Sequence, residues 1–416
     1  MELTLVHRPP KYSRLQSSQW RECGLLGPAL IFDKSFLQML NPEEVTELSM
    51  YFRFVGTPLL IQEIIADLKK QRTDKDRVSQ EVVKALATKM LSAHGLQPAD
   101  FQKLAILNLC CIFDVPMFGQ VPVDANAPNV SVSKNGASVV YDATLEQNMW
   151  RRWANGDFTT DDEESALAWR EGLQGLSLDS LSKQWKRFAS DHFEAANTAN
   201  NLPDLIRRVN ATLNDFSTVV QRKLLLLLLG VLECSPPQAR YSLALFNAGL
   251  MPRIRDLAPY AASVLRLYLT FMIGLGRGFI GPRTTHLIDL EYLLYAPFCS
   301  VFVSADKFHR VMWPAASGIN NFIWGADLKQ ELKQRVEMRS TMTEQERLSH
   351  AFPSFPGPYV SNSIIERLWS IYYSGSKPGK KWSRKEQPET LEDLEPEMRE
   401  SIEKAQQIFD GMRSGK

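Results

Sequence analysis

Pro28-Ala-Leu-Ile-Phe-Asp-Lys-Ser-Phe36 is the stretch on which the fold turns. Four apolar residues follow a Gly-Pro pair and stop abruptly at an acid. A short apolar run of this kind reads as a strand buried on both faces, which is the environment of a parallel sheet. It would deliver the Asp33 side chain to the sheet edge. Working outward, Asn41-Pro-Glu-Glu-Val45 has a capping residue, then proline, then two acids, and predicts a helix from Pro42 to about Phe52. Phe54-Val-Gly-Thr-Pro58 reads as a second short strand. The segment from Leu59 to Leu68 has its apolar residues at helical spacing and places Glu63 and Asp67 one turn apart.

Two further helices are expected, Ser79 to His94 and Pro98 to Phe113. Strands alternating with helices begin an α/β unit. The pattern then breaks: between Pro116 and Tyr141, alternating valines flank Asn135-Gly136, which reads as an exposed hairpin and a seam. From about 144 to 280 the pattern is almost continuously helical, with segments at Leu145–Trp153, Ser165–Leu173, Leu178–Ala196, Pro203–Asp215, Val219–Glu233, Pro237–Ala248 and Tyr260–Leu275. No fixed period runs through them, which disfavours a solenoid. The α/β pattern returns with a helix from Thr284 to Tyr295 and a buried strand, Cys299-Ser-Val-Phe-Val-Ser304, that leads into Ala305-Asp306. A last helix is expected from Ser363 to Tyr373. The basic stretch Lys377 to Lys385, with Trp382 inside it, precedes an acidic one beginning at Glu386.

Composition bounds the function. The chain has 416 residues, 44% of them hydrophobic, enough for a full core and against disorder throughout. Its 48 Lys+Arg and 47 Asp+Glu nearly cancel, so any surface for a polyanion must be local. Five cysteines without a C-x-x-C spacing argue against a disulfide framework or a zinc site and for a reducing compartment. The first residues lack the apolar run of a secretory signal, and the apolar stretches at Leu224–Val231 and Leu267–Leu275 are well short of the roughly 20 residues that span a bilayer. A cytoplasmic protein without a membrane partner is the expectation.

Asp33, Glu63, Asp289 and Asp306 each lie where an open α/β sheet would put a site, outside the carboxyl ends of strands or on the adjoining helices. Carboxylates repel, so a fold that gathers several needs a cation among them, and an all-oxygen donor set selects Mg²⁺ or Mn²⁺ over zinc. Such a site could activate water against a phosphodiester. The competing account makes each acid a helix cap or a solvated loop residue.

Taken together, Ala29-Leu-Ile-Phe-Asp-Lys-Ser-Phe-Leu37, Thr57-Pro-Leu-Leu-Ile-Gln-Glu63, Ile288-Asp-Leu-Glu-Tyr-Leu-Leu-Tyr295 and Val301-Phe-Val-Ser-Ala-Asp-Lys-Phe308 resemble, in order, the four signature segments of PIN-like ribonucleases. The match covers around a third of the chain. The resemblance implies an α/β PIN-like parallel-sheet core, and a metal-dependent nuclease acting on RNA. It makes Asp33, Glu63, Asp289 and Asp306 the catalytic and metal-binding acids, with Ser35 and Ser304 orienting them. The implied organisation is a first core part over 1–115, a hairpin seam over 116–143, an all-α insertion over 144–282, a second core part over 283–353, and a C-terminal helix and charged tail over 354–416. Compact members hold the second and third acids much closer in sequence, but lengthening a connection costs only about 0.6 kcal/mol per doubling.

Lys307 and His309 follow the last acid and are candidates for contact with substrate, against a solvated turn; Lys34 is similar. Asp67 and Glu291 are outside candidates for the acid site. Trp150-Arg-Arg-Trp153 has a composition that stacks on bases, though helix amphipathicity explains it equally. The tail cations are candidates for phosphate contact, against the reading of a flexible solubilising tail. The glycines of Gly274-Leu-Gly-Arg-Gly278 follow no strand and precede no Gly-Lys-Ser/Thr, so they predict close helix packing and not a phosphate loop. His94 and His192 are isolated, and no covalent triad or nucleophile elbow is present. The alternative function is a catalytically silent scaffold of the same fold that binds protein partners through the helical insertion.

Overall fold

The computed structural model describes residues 27–70, 78–91, 95–96, 98–115, 117, 144–174, 177–180, 182–183, 186–187, 193, 198–316, 321–343 and 360–372. The hairpin and seam expected around Asn135-Gly136, His94, His192, the first 26 residues and the basic and acidic tail lie outside these. Contacts divide the chain into two units, 1–372 and 373–416, and only the first contains described residues.

Five parallel strands form one sheet in the order β3-β2-β1-β4-β5. They are β1 (Ala29–Phe32), β2 (Arg53–Val55), β3 (Gly95–Leu96), β4 (Val301–Ser304) and β5 (Asn321–Trp324). The fold is therefore mixed α/β, and the apolar runs at Ala29 and Val301 form its buried centre: every residue of β1 and β4 is buried. The chain adds β2 and β3 on one side of β1 and returns much later to add β4 and β5 on the other. Strand order thus reverses between β1 and β4, and a crevice opens outside their carboxyl ends at such a point.

Between β1 and β2 run α1 (Lys34–Met39) and α2 (Pro42–Ser49), the latter starting in a capping box between Asn41 and Glu44. Thr57 caps α3 (Pro58–Ile65), which a short 3₁₀ turn, Ala66–Lys69, extends. Next come α4 (Ser79–Met90) and α5 (Phe101–Leu109). The helical segment supplies α6 (Thr144–Asn155), α7 (Thr160–Gln174), α8 (Leu202–Asn214), α9 (Thr218–Val231), α10 (Pro236–Asn247), α11 (Ile254–Leu257) and α12 (Pro259–Gly276). The chain then returns to the sheet through α13 (Thr285–Leu294), and α14 (Lys307–Ala316), α15 (Gly325–Thr341) and α16 (Ile364–Tyr372) complete the described part.

The helical segment does not stand apart from the sheet. Helix α12 is buried around nearly its whole circumference, as a helix inside a core must be, and packs on α5, α13 and α14 as well as on α8 and α9. The expected boundary near residue 282 is one of chain order and not of packing. Helix α7 reaches the turn after α3, where Arg170 bonds Ala66 O at 3.0 Å and Asp67 Oδ1 at 3.3 Å. Gly274 lets α12 close on its neighbours, since a Cβ there would meet Ile280 Cδ1 at 2.8 Å. At the far end, buried Glu331 and Arg335 of α15 hold Ser363 and the first turn of α16.

Candidate active site

Asp33 follows β1 directly and caps α1, its Oδ1 accepting from Phe36 N at 2.9 Å. Its Oδ2 accepts from Ser35 Oγ and from Ser304 Oγ, both at 2.7 Å, and lies 3.3 Å from His309 Nδ1. Ser304 ends β4 beside β1, so the two neighbouring strands present an acid and a hydroxyl to each other across the point where strand order reverses. Asp306 lies two residues on: its N–H donates to Ser304 Oγ at 2.9 Å, and its Oδ1 accepts from Phe308 N at 2.7 Å.

His309 is fully buried. Its Nε2 lies 2.8 Å from the Asp289 carbonyl, which only accepts, so this nitrogen carries a proton. The single hydroxyl proton of Ser304 is given to Asp33 Oδ2, so Nδ1, 2.7 Å from Ser304 Oγ, must also donate. With both nitrogens donating, the ring is an imidazolium. Burial alone would lower the His309 pKa, but the Asp33 hydrogen bond and charge, with the charge of Asp289, outweigh it and hold the group above the usual histidine value. Burial would likewise raise Asp33, and the hydrogen bond and charge of His309, with the two serine hydroxyls, outweigh it and hold the carboxyl low.

Glu63 and Asp289 complete the acidic wall. Glu63, half-buried on α3, accepts from the Tyr292 hydroxyl of α13 through Oε2 at 2.6 Å. Burial raises its pKa, against the charge of Lys34 and the Tyr292 bond. Asp289 lies one turn before Tyr292 on α13, and among the described residues no hydrogen-bond donor reaches its carboxylate. Its pKa is pushed up to about 7, first by burial and then by the charges of Asp306, Glu63 and Asp33, against that of His309. The four acids, drawn from distant segments, therefore lie close enough for the charges of Asp306, Glu63 and Asp33 to act on Asp289. They do not form a ready coordination sphere: among the described residues, no three His, Cys, Asp or Glu side chains are grouped so as to hold a metal ion.

No family model, curated protein or solved structure matches this chain.

Several residues singled out in the sequence lie elsewhere. His309 is not open to a substrate, because it is sealed behind Asp33 and against α13; its role is corrected to one within the protein. Lys307 is exposed at the mouth. Lys34 Nζ is committed to Asp67 Oδ2 and the Glu63 carbonyl, both at 2.8 Å. Asp67, fully buried between Lys34 and Arg170, is a structural anchor and not part of the crevice. Glu291 turns to the other side of α13, where burial and then Asp100 push it up to about 7. Trp150 and Trp153 are buried edge-to-face against each other, so they offer no stacking surface for bases. Tyr292 was not singled out in the sequence, yet its spacing three residues after Asp289 puts both on one side of a helix.

Proposed function

We propose that this protein is a PIN-like, Mg²⁺- or Mn²⁺-dependent nuclease that hydrolyses phosphodiester bonds in RNA. One observation carries the reading: Asp33 and Asp306 follow the neighbouring strands β1 and β4, Glu63 is held by Tyr292 of α13, and the charges of all three act on Asp289 of that helix. The donor set is all oxygen, as a hard divalent ion requires. Asp289, Asp306 and Glu63 keep carboxylate oxygens with no protein donor among the described residues, and with Asp33 they would hold the ion. When bound, such an ion supplies positive charge to the phosphoryl group and makes water a better nucleophile.

The chain's own residues prepare the crevice. The bonds of Ser35, Ser304 and Phe36 N fix the Asp33 carboxylate against rotation, and His309 neutralises one negative charge from behind. Asp289, with no donor to its carboxylate among the described residues, is free to turn toward a ligand and to take a proton from attacking water.

A second reading, a silent scaffold, is favoured by the absence of a ready coordination sphere among the described residues and by exposed Phe216, Val219, Leu226, Tyr241 and Leu250 on the helical segment. Calorimetric titration with Mn²⁺ at neutral pH separates the two. The nuclease reading expects saturable binding that Asp289→Asn removes, together with Mn²⁺-dependent cleavage of single-stranded RNA. An unchanged heat signal in the variant, or none in either protein, would overturn it.

A further inference from the structure

The sheet edge beyond the acids carries an aromatic and cationic surface that none of the chemistry above uses. Trp324, the last residue of β5, is in register with Ser304, and registered residues of neighbouring strands project from the same face. Two residues earlier, Phe302 and Phe322 form the preceding pair, stacked with centroids 6.2 Å apart, and Trp313 of α14 leans on both at 5.4 and 5.7 Å. Trp324 continues this row under the preceding turn of α14, which sets Arg310 over it as Trp313 is set over the phenyl pair. It is half-buried, with the exposed Arg310 guanidinium over its ring, 5.6 Å from the centroid.

Its position is fixed from beneath. A Cβ at the next residue, Gly325, would come within 2.7 Å of Phe36 and 3.3 Å of the Ser304 main chain, so β5 turns into α15 directly against the residue that holds Asp33. On α14, Lys307 and Arg310 are three residues apart and both exposed, which puts them on one face beside Asp306. Among the described residues neither forms an ion pair, whereas Lys34 and Arg170 across the crevice are consumed by Asp67.

We propose that Trp324, Arg310 and Lys307 form a platform for single-stranded nucleic acid, which stacks an unpaired base on Trp324 and Arg310 while Lys307 meets the adjoining phosphate. The proposal rests on the nuclease reading and deepens it by naming the surface that would receive the strand. A half-buried indole with an exposed guanidinium over its ring presents a flat cationic stack that suits a base whose face is free, and two cations outside any ion pair among the described residues offset the repulsion between the acids and a polyanion. A duplex keeps its base faces inside the stack and offers this surface only phosphates.

The test measures binding and not cleavage. The full chain carrying Asp289→Asn, and that chain with Trp324→Leu, Trp324→Phe or Lys307→Ala added, are titrated against fluorescein-labelled single-stranded RNA of about twelve nucleotides and its duplex, read by anisotropy. Single strands should bind more tightly than duplex. Trp324→Leu should weaken single-strand binding about tenfold and Trp324→Phe less than threefold, because the phenyl ring still stacks. Lys307→Ala should reduce the salt slope by about 0.7. Equal binding by the Leu and parent chains, or a preference for duplex, would overturn the platform. Binding that depends on Trp324, with no cleavage by the chain in which Asp289 is intact, would sink the nuclease reading alone, and metal-dependent cleavage by that intact chain left unchanged by Trp324→Leu would sink the platform alone. The Phe variant guards against misfolding: loss in Leu with retention in Phe assigns the effect to the ring.

Discussion

His309 Nε2 donates to the main-chain carbonyl of Asp289 at 2.8 Å, joining the helix after β4 to the helix that precedes it. Its other nitrogen faces Ser304 and Asp33, so one buried ring ties three segments of the crevice. Replacing it by Ala leaves the Asp33 carboxylate buried without its cation. Breaking a buried charge pair from one side costs about 3–5 kcal/mol, and His309→Ala should lower unfolding stability in urea by about that much. A loss under about 1 kcal/mol would show that the ring is not charged.

Asp33→Asn and Asp289→Asn should both abolish Mn²⁺-dependent cleavage of single-stranded RNA, but they should part in stability. Asp33 accepts bonds from two hydroxyls and a main-chain N–H and faces His309, whereas no described donor reaches the Asp289 carboxylate. Asp33→Asn should therefore lower the melting temperature and Asp289→Asn should not. Paired melting curves and cleavage assays check this, and full cleavage by either variant would remove that acid from the site.

The Asp289 carboxyl, ordinarily near 3.8, is pushed up to about 7 in the fold. Between those values the folded chain keeps a proton that the unfolded chain has released, so this group's contribution is complete at low pH and is lost as the pH rises through about 7. In metal-free buffer, Asp289→Asn should gain stability relative to the parent chain from about pH 5 to about pH 8. Urea midpoints for the two proteins at each pH give the comparison, and a constant difference would refute the raised value.

Arg170→Ala should leave Asp67, fully buried, with Lys34 alone and loosen α7 on the turn after α3, where the exposed Lys69–Glu163 pair remains. A cost of about 1–3 kcal/mol is expected, with faster proteolytic cutting in the helical segment. Unaltered cutting and stability would show that Lys34 suffices.

Gly325→Ala forces a methyl group against Phe36 and the Ser304 main chain. Overpacking of this kind costs about 1–3 kcal/mol, and because the strain falls beside Ser304, cleavage should drop more than folded content, as read by circular dichroism alongside activity.

Asp33 and Asp306 were legible because each follows a short apolar run, and a strand buried on both faces has few other ways to read. Glu63 and Asp289 could be placed on helices but not shown to meet, since that depends on how α13 rotates against α3, which the Tyr292 bond to Glu63 sets. Two strands escaped notice: β3 has two residues, and β5 starts at Asn321 and is too short to show alternation. Helix α14 contains Pro314 and α15 is mostly polar, with a narrow buried stripe at Leu328, Leu332 and Arg335. The burial of His309 was hidden for the same reason: with α14 unplaced, nothing in the sequence told its inner face from its outer one.

The pairing of β1 with β4 also governs how this protein is made. During ribosomal synthesis, β1 emerges more than two hundred residues ahead of its neighbour, and for that interval its edge lacks a ladder partner on one side. Such distant pairing makes completion of the sheet a late and slow event. The growing chain must shelter that edge while the helical segment is translated, so the meeting of Asp33 with Ser304 and His309 waits until β4 and the helix after it have been released.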